Sequence, residues 1–424
     1  MTGQIRLQLS TMMFLEYFVW GAWYVTLSTY LGTTLKFEGT QIGLAYSAFA
    51  IAAMISPFFV GMIADRFFPT ERVLGVLHLV GAGLLYWLST ITEFALFYPV
   101  IIAYTLCFMP TIALTNSLSF HHMDNPGKEF PGVRVLGTIS WIIVGLLVGY
   151  LSIESQATPI LIAAGVSIVM GFYCFTLPHT PPKSQGEKAS WQDIIGLDAL
   201  KLMKDRSFAV LFIASLLICI PLSFYYSFAN LFLNNIGVEN AAGKMTMGQM
   251  SEIAFLLLMP FFFKRFGYKV MLMIGMACWS ARYVLFMYGN PSELVWMLYG
   301  GIILHGICYD FFFVTGQIYV DERAPKHIKN AAQGLITFAT YGVGMFIGST
   351  LSGVVAENYS VVNEVSGNPV YQWDSIWLVP ALLAGVVLVL FTLFFREKPP
   401  AKEASGDKVY TKATEAVPES KPSF

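Results

Sequence analysis

Twelve apolar runs of roughly twenty residues, each closed by polar punctuation, fill most of this 424-residue chain. A run of that length crosses the hydrocarbon core of a bilayer, about 30 Å thick. It crosses as a helix, because lipid offers no partner to an open strand's amides and carbonyls. The runs fall at about 8–31, 40–63, 73–91, 94–120, 131–152, 157–177, 207–233, 242–265, 268–288, 292–320, 329–354 and 373–395. The alternating ten-residue segments of a membrane barrel are absent. Charged residues make up 12% of the chain, against roughly 25% in a soluble domain. The expected fold class is an all-α membrane protein. The first run is too long for the core of a cleavable signal peptide, holds Glu16 and lacks a small-residue cleavage site, so it reads as the first span.

The longest interior polar stretch, 178–206, divides the spans six and six. The expected organisation is therefore an N-terminal half at 1–177, a cytoplasmic linker at 178–206, a C-terminal half at 207–395 and a disordered tail at 396–424. Lysine and arginine gather on one side, in the linker, the tail and loops carrying Arg66, Lys128, Lys264 and Arg323, while the other side receives Lys36 and Lys244. Positive charge stays inside, so both termini are expected in the cytoplasm. The second span ends in Gly61-x-x-x-Asp65-Arg66 and the eighth in Lys264-Arg265-Phe266-Gly267-Tyr268-Lys269. Basic loops at equivalent places in two halves suggest the internal repeat of a secondary transporter. The first loop resembles the signature of the major facilitator superfamily.

Ionisable residues inside apolar spans are costly and persist where they pair or line a polar path. Five stand out: Glu16, Arg134, Glu252, Arg282 and Asp310. Arg134, Thr138 and Trp141 share one helical face and could together hold a polar ring, unless Arg134 merely reaches out to the headgroups. Gln249 and Glu252 also share a face, offering donor and acceptor, or else a clamp between Glu252 and Arg282 or Arg134. An aspartate among aromatics, as Asp310 stands beside Tyr309 and Phe311, is poorly hydrated and suited to taking up and releasing a proton; the alternative is a permanent partner for Arg282. His305 is a weaker candidate. Ser223, Tyr225, Tyr226 and Asn230 form a polar-aromatic cluster after Pro221, and Glu16, Trp20 and Trp23 lie at helical spacing on the first span, where the tryptophans could equally be interfacial. Glu16 and Arg282 are assigned to a buried charge network, and Glu252 joins Asp310 as a candidate for proton coupling.

Soluble-enzyme signatures are missing. There is no nucleotide-cradling glycine loop, no zinc helix and no nucleophile elbow, so the chain is not expected to be an enzyme. His121-His122-x-Asp124 lies in a short polar loop and is not assigned a metal. The five cysteines all sit inside apolar runs and read as small buried hydrophobes. Neither the linker nor the tail is long enough for a folded effector domain, which counts against a membrane sensor.

Several local strings are similar to the nucleoside:proton symporter family of the major facilitator superfamily: Phe130-Pro131-Gly132-Val133-Arg134-Val135-Leu136-Gly137-Thr138, Gln249-x-Ser251-Glu252, Tyr309-Asp310-Phe311-Phe312 and Ala332-Gln333-Gly334. Trp20-Gly21-x-Trp23 and Leu177-Pro178-His179 add to the likeness, which runs from about residue 8 to 395. The resemblance implies twelve helices in two pseudo-symmetric halves around a central cavity that imports nucleosides with protons across the bacterial inner membrane. It implies substrate contacts from Arg134, Thr138, Gln249 and Glu252, with Trp141 in place of a phenylalanine, and a coupling role for Asp310, with Tyr309 replacing another. Ser223 and Tyr226 stand where the family has glutamine and asparagine, His305 where it has a tyrosine, and Glu16 where it has a glutamine. These departures trade amides for hydroxyl, phenol and acid, which leaves purine nucleosides, pyrimidine nucleosides and a sugar or other polyhydroxylated metabolite open as cargo. The expected partners are substrate, proton and lipid bilayer. No cofactor, metal or nucleic acid is expected, and the chain is expected to work as a monomer.

Overall fold

A computed structural model of the chain describes residues 1–182, 197–325, 328–362 and 369–396, with the backbone alone for 57–66, 127, 197, 198, 330 and 362. Its helices are α1 (Gly3–Trp23), α2 (Gly39–Arg66), α3 (Thr70–Leu88), α4 (Phe94–His121), α5 (Pro126–Tyr150), α6 (Thr158–Cys174) and α7 (Arg206–Asn235). The continuous stretch Ala241–Tyr288 supplies α8 (241–266) and α9 (268–288), followed by α10 (Val295–Arg323), α11 (Ala331–Asn358) and α12 (Trp373–Phe394). Nine helices among the described residues are long and apolar enough to cross a membrane. One of them is the α8–α9 stretch, which is two spans, and the shorter α6 and more polar α1 bring the total to the expected twelve.

Local chemistry sets several boundaries. The α8–α9 junction turns at Gly267, whose φ of 68° and ψ of −176° suit glycine alone. α5 starts five residues earlier than the apolar run, because Asn125 accepts from the Lys128 amide and Pro126 occupies the first turn, where its missing N–H costs nothing. α7 is capped by Asp205, which accepts from the Ser207 and Phe208 amides. α1 ends sooner than expected, at Trp23, and the chain goes on through a short turn at Leu27–Thr29 and a π turn at Tyr30–Thr34. Two more π turns widen α10 at Asp310–Val314 and α11 at Phe338–Gly344. Such bulges gather at functional sites. A small antiparallel hairpin, Ser360–Val362 with Pro369–Tyr371, precedes α12 and was not anticipated from the apolar pattern.

The outer surface is apolar. On α12, Leu382, Val386, Val389 and Leu393 recur at helical spacing and are each more than half exposed, a stripe that suits lipid. Side chains of the Asp65-Arg66 motif, most of the expected linker (183–196) and the tail from 397 lie outside the described residues. The described part of the linker carries a short 3-10 stretch, Leu197–Lys204.

The halves meet tightly at the end away from the termini. There α2 and α11 pack backbone to backbone: a Cβ placed on Gly43 would collide with the Ser349 carbonyl and stand 2.8 Å from the Gly353 Cα. Among the described residues, six hydrogen bonds join the halves at the same end. Glu154, after α5, accepts from the side-chain amides of Asn230 and Asn234, both at 2.8 Å, and from the Ala242 amide at 3.0 Å. Thr29 donates to Asn230 Oδ1 at 2.6 Å and accepts a longer bond from Asn234, and Glu357 accepts from the Thr40 amide.

Candidate substrate-binding cavity

Beneath that seal lies a cavity of about 930 Å³ between the halves, counting the space open to solvent. The N-terminal half lines it from α1, α2, α4 and α5, and the C-terminal half from α7, α8, α10 and α11.

One wall is aromatic. Trp20 meets Trp141 edge to face at 5.4 Å and lies parallel to Phe49 at 6.4 Å, geometries that leave ring faces for a flat ligand. Tyr24, the C-cap of α1, reaches across to Tyr226 on α7 at 5.9 Å. On the far side Tyr309 and Tyr341 share a hydroxyl hydrogen bond of 2.7 Å.

The polar groups converge on the same space. Arg134 lies with its guanidinium 3.9 Å over the Tyr17 ring, so α5 holds it inside the cavity instead of at the headgroups. Thr138 and Trp141 follow it along the same face, and Gln249 and Glu252 face them from α8. His305 on α10 completes this edge, its Nε2 standing 3.9 Å from Glu252 Oε2. Cation, carboxylate, amide, hydroxyl and imidazole thus line one chamber together with stacked rings. Such a chamber can grip a flat heterocycle by its faces and a polyhydroxylated unit by its edges.

Of the nine candidate substrate contacts, eight line the cavity and one does not. Arg134, Thr138, Trp141, Tyr226, Gln249, Glu252, His305 and Tyr309 all line the cavity, whereas Ser223 does not. Ser223 is fully buried between α7 and α11, where it donates to the Cys219 carbonyl at 2.9 Å and contacts Met345. Three residues turn a helix through about 300°, which sets Ser223 about 60° round α7 from Tyr226, far enough to face α11. Asn230 faces the seal, and Trp23 is packed inside the N-terminal half against Tyr104 and Phe49.

Asp310 sits next to Tyr309 within the π turn, almost wholly buried, and its Oδ2 has no hydrogen-bond partner. None of the described ion pairs includes it, so the permanent pairing with Arg282 is absent. The expected network of Glu16 with Arg282 is also absent. Glu16 bonds His78 and Thr111 inside the N-terminal half, while Arg282 bonds the Gly301 carbonyl and His305 inside the C-terminal half.

Several residues escaped the reading of the chain. Tyr17 and Tyr24 continue the Trp20 stripe at helical spacing, a signal that was available. His78 and Glu154 gave none, since their partners lie 62 to 89 residues away.

A model of the nucleoside H+ symporter family matches residues 3–400. Among curated proteins, the putative nucleoside transporter YegT of Escherichia coli (strain K12) is 45% identical over 399 residues, covering 92% of this chain and 93% of the relative. The xanthosine permease of the same organism is 35% identical, covering 92% of this chain and 95% of the relative. The crystal structure of the nucleoside transporter NupG superposes with a TM-score of 0.84 at 32% identity, covering 93% of this chain and all of that one. A POT family transporter at 13% identity and a TM-score of 0.71 shares the fold alone. The cavity between two six-helix halves is thus that of a major facilitator fold, and the chain belongs to the nucleoside H+ symporter family.

Proposed function

We propose that this protein is a transporter and not an enzyme, importing nucleosides with protons across the bacterial inner membrane by alternating access. The observation that carries the reading is the convergence of Arg134, Thr138, Gln249 and Glu252 with stacked aromatic rings in one chamber sealed at one end. The base would lie against Trp141, Trp20 or Tyr226, and the polar four would bond its edges and the sugar. A sugar as cargo is not favoured, because the family match spans the chain and names nucleosides.

Proton coupling falls to Asp310, with Glu252 as its cavity-facing companion. A buried carboxylate with an unpartnered oxygen is costly when charged, and protonation removes that cost. The two protonation states would then favour different packings of the halves, which is what coupling requires. The Lys/Arg bias supports cytoplasmic termini. Under that orientation the Glu154 seal lies on the outer side and the cavity faces inward. A monomer suffices, since one chain supplies every wall of the chamber.

The test is uptake of labelled uridine and adenosine by vesicles holding the purified protein, with and without an inward proton gradient. Gradient-driven accumulation of a nucleoside, blocked by other nucleosides and not by sugars, is expected. Uptake indifferent to the gradient, or displaced by sugars alone, would overturn the reading.

A further inference from the structure

Arg282, on α9, is a wholly buried cation without a carboxylate partner among the described ion pairs. Its Nε donates to the Gly301 carbonyl at 2.8 Å, and its guanidinium lies 3.5 Å over the Tyr225 ring. Its Nη2 stands 3.3 Å from His305 Nδ1. A guanidinium has five donors, no acceptor and no accessible deprotonated form. The imidazole nitrogen that faces it can therefore only accept, and the ring's single hydrogen must sit on Nε2. Tyr225 holds the ring plane as well, stacked on His305 at 5.4 Å and 24°.

The hydrogen so fixed points at the substrate chamber. Between His305 Nε2 and Glu252 Oε2 is a gap of 3.9 Å, too long for a direct hydrogen bond. One oxygen placed beside that gap reaches both atoms at ordinary hydrogen-bond length. It must accept from Nε2–H and donate to the carboxylate. A hydroxyl does both; a carbonyl oxygen or an ether oxygen cannot.

We infer that Arg282 is a positioning residue for substrate selection, holding His305 as the Nε2–H tautomer so that His305 and Glu252 together select a nucleoside by one sugar hydroxyl. The inference rests on the cavity being the nucleoside site, and it assigns that edge of the chamber to the sugar and not to the base. A nucleoside lacking the hydroxyl leaves a buried donor and a half-buried carboxylate facing each other unpaired. Sites built to bond a hydroxyl reject such analogues strongly.

Two measurements test it on the full-length protein in lipid. Nitrogen-15 NMR of histidine-labelled protein, with the His305 signal assigned by its loss in His305→Gln, should show the Nε2–H tautomer. Competition of labelled uridine uptake by 2′-, 3′- and 5′-deoxyuridine should find one analogue weaker than uridine by about tenfold or more. His305→Phe should bring that ratio close to one, and His305→Gln, which retains a donor, should restore part of it. Arg282→Met should shift the tautomer balance; if that variant does not fold, the wild-type spectrum and the two His305 variants decide. An Nδ1–H ring or an imidazolium in the wild type, or a deoxy ratio untouched by His305→Phe, would overturn the inference while leaving nucleoside transport standing. Failure to take up any nucleoside would instead overturn the functional reading beneath it.

Discussion

Glu16 and Asp310 are carboxyls buried within spans, one in each half, and their surroundings are opposite. Glu16 on α1 is fully enclosed, and both its oxygens are used: Oε2 meets His78 Nε2 at 2.9 Å and Oε1 accepts from Thr111 at 2.6 Å. Behind it, Ser167 donates to the His78 carbonyl and accepts from His78 Nδ1. One proton is thus shared between His78 Nε2 and Glu16 Oε2, and the group ties α1, α3, α4 and α6 into one body. Asp310 on α10 is as deeply buried but keeps an oxygen without any partner, in a π turn one residue from the cavity wall. Burial of charge is common to both sites; satisfaction separates them. A satisfied buried acid holds helices together, whereas an unsatisfied one stores a cost that a proton can relieve.

The sharpest way to break this contrast is to neutralise the unsatisfied acid. Asp310→Asn keeps the shape and removes the charge that protonation would otherwise remove. Uphill, gradient-driven accumulation of nucleoside is expected to fall to the equilibrium level, while exchange of internal for external nucleoside continues. The readout is the accumulation ratio in vesicles beside a counterflow assay. A mutant that still concentrates nucleoside fully would take coupling away from Asp310.

The satisfied acid should answer in a different quantity. Removing one member of a buried pair costs about 3–5 kcal/mol, because the other is left charged and alone. His78→Ala is therefore expected to lower the melting temperature in detergent by several degrees and reduce the yield of folded protein, and the protein that folds should still couple to the gradient. If His78→Ala left the melting temperature unchanged and abolished gradient-driven uptake, Glu16 would belong with Asp310 and the contrast would fail.

The same contrast explains what could be read from the chain and what could not. The twelve spans were legible because lipid demands long apolar helices, and Arg134, Thr138, Gln249 and Glu252 were legible because helical spacing groups them on faces. Partnership was not legible. Glu16 and Asp310 look alike as isolated acids in apolar runs, and the difference lies in His78, Thr111 and Ser167, each on another helix. Arg282 was expected to meet an acid for the same reason, yet it is held by a carbonyl, a ring face and an imidazole. The π turns escaped too, since a one-residue widening leaves no mark on composition.

A third acid tests the contrast at its boundary, with the smallest expected effect. Glu154 is buried and satisfied like Glu16, but its three donors come from the opposite half, so the bonds last only while the seal is shut. Its satisfaction is a property of one conformation and not of one body. Glu154→Gln removes the charge from those bonds, each worth about 1.5–3 kcal/mol when charge-assisted and less when neutral. The outward-open population should rise without loss of folding stability. Spin labels at Gln156 and Glu239, both exposed beside the seal, report it in a background lacking the five free cysteines. A longer component in their distance distribution is expected for the variant. An unchanged distribution accompanied by a lower melting temperature would place Glu154 with Glu16, as cement and not as a latch.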